Sequence, residues 1–143
     1  MKGFLLFAVF CLFNLSALAQ IDDVVAYCMK KFVIDGGFIN VGDININPNN
    51  IDTATANCET LLNAARAEAV GGLESTYKGQ NLPQAKVDCI LKAFGTSKMF
   101  EYSTALLVLE NLPITSEAKQ QNAEVVQGKM AGFNTAVMGC FMA

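Results

Sequence analysis

Apolar residues in this chain recur at steps of three and four over most of its length, the spacing that gathers them on one face of a helix. Val24, Val25, Cys28 and Phe32 form the first stripe, in a helix expected over 22–34. Asp22 and Asp23 suit its positive start, Lys30 and Lys31 its negative end, and Gly36-Gly37 can stop it. Ala54, Cys58, Leu61, Leu62, Ala65 and Ala69 predict a second helix over about 53–70. Asp52 or Thr53 would cap it, Gly71-Gly72 would end it, and 73–78 would hold only a turn or a short helix. A third helix is expected from Pro83, a residue suited to the first helical position, to Gly95, with Val87, Ile90, Leu91 and Phe94 on its apolar face. The fourth, 97–111, contains Met99, Phe100, Tyr102, Leu106, Leu107, Val108 and Leu109 and is apolar over much of its circumference. That marks it as the central buried helix, ended by Pro113. After a cap at Thr115 or Ser116, the fifth runs over 116–141 and repeats Ala118, Asn122, Val125, Val126, Met130, Phe133, Val137, Cys140 and Phe141. Gly128, Gly132 and Gly139 along it suggest close packing or a bend. The expected fold is all-α, a compact bundle of about five helices in one domain.

The first twenty residues follow another pattern. MKGFLLFAVFCLFNLSALAQ has a basic start at Lys2, a short apolar run, and the A-x-A sequence Ala17-Leu18-Ala19. This is the form of a secretory signal peptide, 1–19, leaving a single secreted helical domain over 20–143. The run is too short to span a bilayer, which takes about 20 apolar residues. No stable membrane insertion is expected, and the localisation is extracellular.

Removing Lys2 takes the net charge from −3 to −4, and Arg66 is the single arginine. Nucleic-acid binding needs clustered Lys and Arg, so no nucleic-acid partner is expected. The polar loop after the first helix begins D-x-N-x-N at Asp43, as a calcium-binding EF-hand loop does. Its sixth position, which needs glycine, is Pro48, and its twelfth, which needs a bidentate glutamate, is Ala54. The chemistry fails at both places, and no calcium site is expected.

Four cysteines follow the leader, Cys28, Cys58, Cys89 and Cys140. In a secreted chain an even number implies disulfides. Three pairings are possible; Cys28–Cys58 with Cys89–Cys140, each tying together helices close in sequence, is the expected set. No cysteines stand as a close pair and the chain has no histidine, so no metal site is expected. Without an imidazole base, Ser-His-Asp and Cys-His nucleophile systems are excluded. The acids Asp22, Asp23, Glu101 and Glu110 fall where solvated helix faces or helix starts would put them. The chain is read as no enzyme, with no cofactor.

The hydrophobic fraction, 52%, is high for a small bundle and rich in aromatic residues and methionine, which fits irregular apolar shapes. Pockets for apolar molecules form between the helices of bundles. The leader, the chain length, the helical character and the four spaced cysteines resemble the four-cysteine branch of the insect odorant-binding proteins, although Cys89 and Cys140 stand further apart than the last two cysteines of that family. The resemblance implies a helical bundle around an apolar cavity that carries hydrophobic small molecules or lipids in extracellular fluid. The reading is a carrier whose cavity is lined by Phe32, Phe94, Phe100, Leu106, Phe133 and Val137. The alternative is a secreted interaction or defence-related protein with a filled core and a protein partner on its surface.

Overall fold

A computed structural model describes residues 23–46 and 57–142. The expected leader, the Asp52/Thr53 cap and the D-x-N-x-N loop from Asn47 onward lie outside the described residues. Among those described there are five helices and no strand: α1 (Asp23–Asp35), α2 (Cys58–Lys78), α3 (Gln84–Thr96), α4 (Met99–Glu110) and α5 (Ser116–Met142). The all-α expectation holds, and so do both expected disulfides, Cys28–Cys58 and Cys89–Cys140.

Local chemistry explains most of the boundaries. α1 ends in a glycine-terminated cap: Gly37, at φ +76°, donates to Ile34 O and the next residue, Phe38, donates to Val33 O. Glycine takes this left-handed conformation without the clash a Cβ would bring. Asn57 Oδ1 accepts from Thr60 N at the start of α2, and Thr115 Oγ1 accepts from Ala118 N at the start of α5. Pro83 stands one residue ahead of α3.

Two expectations are corrected here. Gly71-Gly72 does not end the second helix, and 73–78 is its continuation rather than a separate turn. Beyond the glycines, Leu73 and Tyr77 are buried in the core, and that burial outweighs a helix penalty of about 1 kcal/mol per glycine. The glycines of α5 do not serve close packing: a Cβ added at Gly128, Gly132 or Gly139 would meet nothing within 4 Å. They lie on the exposed side of the helix.

α4 is the central helix, as its sequence indicates. Eight of its residues are buried, and it packs against α1, α3 and α5. The close packings form a ring, α1–α2–α3–α5–α4 and back to α1, with α3·α4 as a chord. The chord divides the bundle unequally. α3, α4 and α5 make a triangle in which each helix touches both others, filled by Val87, Ile90, Phe94, Met130, Phe133 and Val137. On the other side α1, α2, α3 and α4 make a four-sided frame, and among the described residues neither diagonal, α1 to α3 nor α2 to α4, is a close helix packing.

Side-chain clasps hold the frame and the triangle together. Asn122 on α5 pairs with the loop after α1, its Oδ1 accepting from Asn40 N at 2.7 Å and its Nδ2 donating to Asn40 O at 3.0 Å. Lys86 Nζ donates to Phe141 O at the carboxyl end of α5, close to Cys89–Cys140.

Candidate functional site

The six residues expected to line a cavity separate into two groups. Phe94 and Phe133 meet edge to face at 6.0 Å, and with Val137 they are buried in the triangle. This part of the core is packed directly between three helices. Phe32 of α1 and Phe100 of α4 meet instead in the four-sided frame, with ring centroids 6.3 Å apart. Leu106, on α4, packs half-buried against the core.

The frame holds more than was legible in the sequence. The cap after α1 turns the chain sharply and sets Phe38 against Phe32, 5.6 Å between centroids. Phe38 in turn meets Tyr102 of α4 edge to face at 5.3 Å. The result is a continuous run of rings, Tyr102–Phe38–Phe32–Phe100, in which Phe100 is buried and the other three are half-exposed. Its signal was present: a Gly-Gly stop followed by a phenylalanine is the pattern of a helix end whose next apolar residue folds back.

Arg66 lies over this run. Its guanidinium carbon is 5.0 Å from the Phe100 ring and 6.0 Å from Phe32. Cation–ring contacts of this kind contribute about 0.5–2 kcal/mol, the upper end when desolvated. Nη1 donates to Asn63 Oδ1 at 3.1 Å, and Nη2 makes a single long contact of 3.4 Å to Glu101 Oε1. Arg66 thereby bridges α2 to α4 across a diagonal that the helices themselves leave open. Of the two expected settings for Glu101, a solvated face or a helix start, it has the second. It lies in the first turn of α4, but its side chain is 15% exposed and is held against the guanidinium.

Lys98 stands at the far end of the run, with Nζ 5.9 Å from the Phe38 ring. It occupies the two-residue link between α3 and α4 at φ 55°, ψ 41°. A non-glycine residue in this left-handed region costs about 1–2 kcal/mol, and the conformation turns the chain directly from α3 into α4. The site is therefore an aromatic run with Arg66 over Phe100 and Phe32 and Lys98 beside Phe38, in a protein whose net charge is negative.

The cover of the site is light. Among the residues of α2 only Leu73 and Tyr77, both in its last turns, are buried. Leu62, Ala65 and Ala69 are half-buried on its inner side. The disulfide to Cys28 fixes its first residue.

Compared with family models, curated proteins and solved structures, the chain matches none. Among the described residues no group of acidic, cysteine or histidine side chains could hold a metal ion, and no helix is long and apolar enough to cross a membrane.

Proposed function

We propose that this protein is an extracellular carrier of lipids or other small hydrophobic molecules, which it binds in the four-sided frame of α1, α2, α3 and α4. The observation that carries the reading is the half-exposed run of Phe32, Phe38 and Tyr102 over buried Phe100, beneath a helix that buries two residues in its whole length. A core built only for stability gains by covering such rings, at about 25 cal/mol for each Å² of apolar surface removed from water. Rings left half-covered under a loosely held helix are available to an apolar guest. Two disulfides suit an oxidising compartment and brace the frame while α2 yields.

The test is native mass spectrometry of the secreted protein, organic extraction of anything that travels with it, and titration with an apolar fluorescent probe. A bound lipid or similar molecule at near-unit stoichiometry is expected. Phe38→Ser should weaken probe binding, and Val125→Ser on the exposed side of α5 should not. A clean protein mass with no probe response would sink the carrier reading.

The alternative, a protein-binding surface over a filled core, has one observation in its favour. The large exposed apolar residues Val125, Met138 and Met142 all belong to α5. If no ligand binds, α5 is where a protein partner would be sought.

A further inference from the structure

We infer that the ligand is an anionic amphiphile with a terminal carboxylate, that Arg66 receives its head group, and that Glu101 holds Arg66 ready by standing where the ligand's carboxylate will go. This rests on the carrier reading and adds to it a head group, a residue that reads it and a residue that competes for it.

Arg66 is the only arginine of the chain, and it lies at the border between the apolar frame and water, with its side chain 39% exposed. A guanidinium presents five N–H donors in a fixed fork that suits a carboxylate through two parallel bonds. Its two recorded contacts use that capacity poorly: one to an amide oxygen and one, long and single, to Glu101. The guanidinium carbon stands over Phe100 and Phe32, and the rings continue from there through Phe38 to Tyr102. A chain lying along the rings delivers its polar end to Arg66. Lys98, over Phe38, adds a second positive charge beside the same rings.

Glu101 is what distinguishes this from an ordinary structural ion pair. A carboxylate beside Arg66 keeps the guanidinium oriented while no ligand is bound, and it must give way or share when a ligand carboxylate arrives. The two substitutions therefore have opposite expected effects. Removing Arg66 removes the receptor, whereas neutralising Glu101 removes a competitor and a repulsive charge.

The experiment compares laurate with methyl laurate and dodecanol, all below their micellar concentrations, by probe displacement and calorimetry on wild type, Arg66→Gln, Glu101→Gln and Lys98→Gln. Circular dichroism and melting curves confirm that each variant is folded. Wild type should bind laurate about tenfold more tightly than the ester or the alcohol, as one charge-assisted head-group contact provides. Arg66→Gln should abolish that preference, bringing the acid-to-ester affinity ratio to about one, and Lys98→Gln should reduce it in part. Glu101→Gln should tighten laurate binding severalfold and raise the acid-to-ester affinity ratio. Equal affinity of wild type for acid and ester would overturn the inference and leave the carrier reading standing. Loss of laurate binding in Glu101→Gln would also overturn it, since the pair would then be serving the fold. Should wild type bind none of the three, both readings fall. If Arg66→Gln does not fold, the acid-to-ester ratio and the Glu101→Gln variant decide the matter alone.

Discussion

Replacing Asn134 by leucine is expected to make the protein more stable. Asn134 lies on α5 between the core residues Met130 and Val137 and is 2% exposed. Its Oδ1 is buried and, among the described residues, receives no hydrogen bond. A buried acceptor left without a donor costs about 1–3 kcal/mol. Leucine has the same number of side-chain heavy atoms and the same branching, so the exchange opens no cavity, but its two methyl groups are bulkier than the amide's oxygen and nitrogen and the local repacking takes back part of the gain. The net gain should be about 1 kcal/mol, because apolar contact replaces an unmet polar requirement. In urea, where small proteins have slopes of roughly 1–3 kcal/mol per molar, this moves the midpoint up by roughly 0.3 to 1 molar with the slope unchanged. Asn134→Asp should shift it the other way, because it brings a carboxylate into the same place. A fall in midpoint for Asn134→Leu at unchanged slope would refute the reasoning and show that the amide oxygen has a partner that leucine leaves stranded. Ser103, whose buried hydroxyl is likewise unmet, should respond to alanine in the same direction but by less. Its neighbour Thr104 bonds back to Phe100 O at 2.7 Å, so α4 can satisfy a hydroxyl in this way and does so at only one of the two positions.

Three further outcomes are expected. Cys89→Ser with Cys140→Ser opens a separation of 51 residues and should cost up to about 4 kcal/mol by loop-closure entropy, a large share of a typical 5–15 kcal/mol; an unchanged denaturation midpoint would contradict this. Gly132→Ala should raise the melting temperature, since its Cβ meets open space and the change gains about 0.5–1 kcal/mol in a helix interior. Gly37→Ala should lower it, because φ +76° costs a non-glycine residue about 1–2 kcal/mol; a rise for Gly37→Ala would show that the cap is not what holds this turn, and a fall for Gly132→Ala would show that its site is not open. Burial raises the pKa of the Tyr77 phenol above its usual value of 10.0. The stabilisation linked to this is complete below about pH 10 and is lost as pH rises from there through the folded-state value, because the unfolded chain ionises first. Tyr77→Phe should therefore flatten the alkaline limb of a stability–pH curve, and an unaltered limb would assign that loss to other groups.

Much of the fold was legible because it rests on local chemistry. α4 shows itself as the central helix by being apolar on nearly every side, and the three-and-four spacing of α5 names Val126, Met130, Phe133, Val137 and Cys140, which are buried, but also Val125, which is 62% exposed. On α1 the apolar stripe was placed about one residue off: the buried positions are Cys28, Met29 and Val33, with Phe32 at the edge of the core. The failures have a common cause, since each depends on what lies across the bundle. Gly71-Gly72 reads as a stop until Leu73 and Tyr77 find their place in the core. Glu101 reads as an acid at a helix start, which it is, but its partner Arg66 comes from another helix and is not legible. Of the expected lining residues, Phe32 and Phe100 meet in the frame and Phe94 and Phe133 in the triangle, a division set by how five helices close into a ring, which no single helix's pattern records.

The two attachments of α2 give the bundle a mechanical character. Its first residue is bonded to Cys28, and its last turns are buried through Leu73 and Tyr77, with Tyr77 also meeting Phe141 of α5 at 6.4 Å. Between these anchors Arg66 and the half-buried Leu62, Ala65 and Ala69 hold it more lightly, like a beam supported chiefly at its two ends. A supported beam can bow and spring back, but it cannot leave. On the carrier proposal, a guest that lifted its middle would work against bending and a few half-buried contacts, while the triangle of α3, α4 and α5 kept its own packing. Cutting the Cys28–Cys58 support would convert the beam into a cantilever hinged at Leu73 and Tyr77, and the aromatic run would lose its cover from the Arg66 side first.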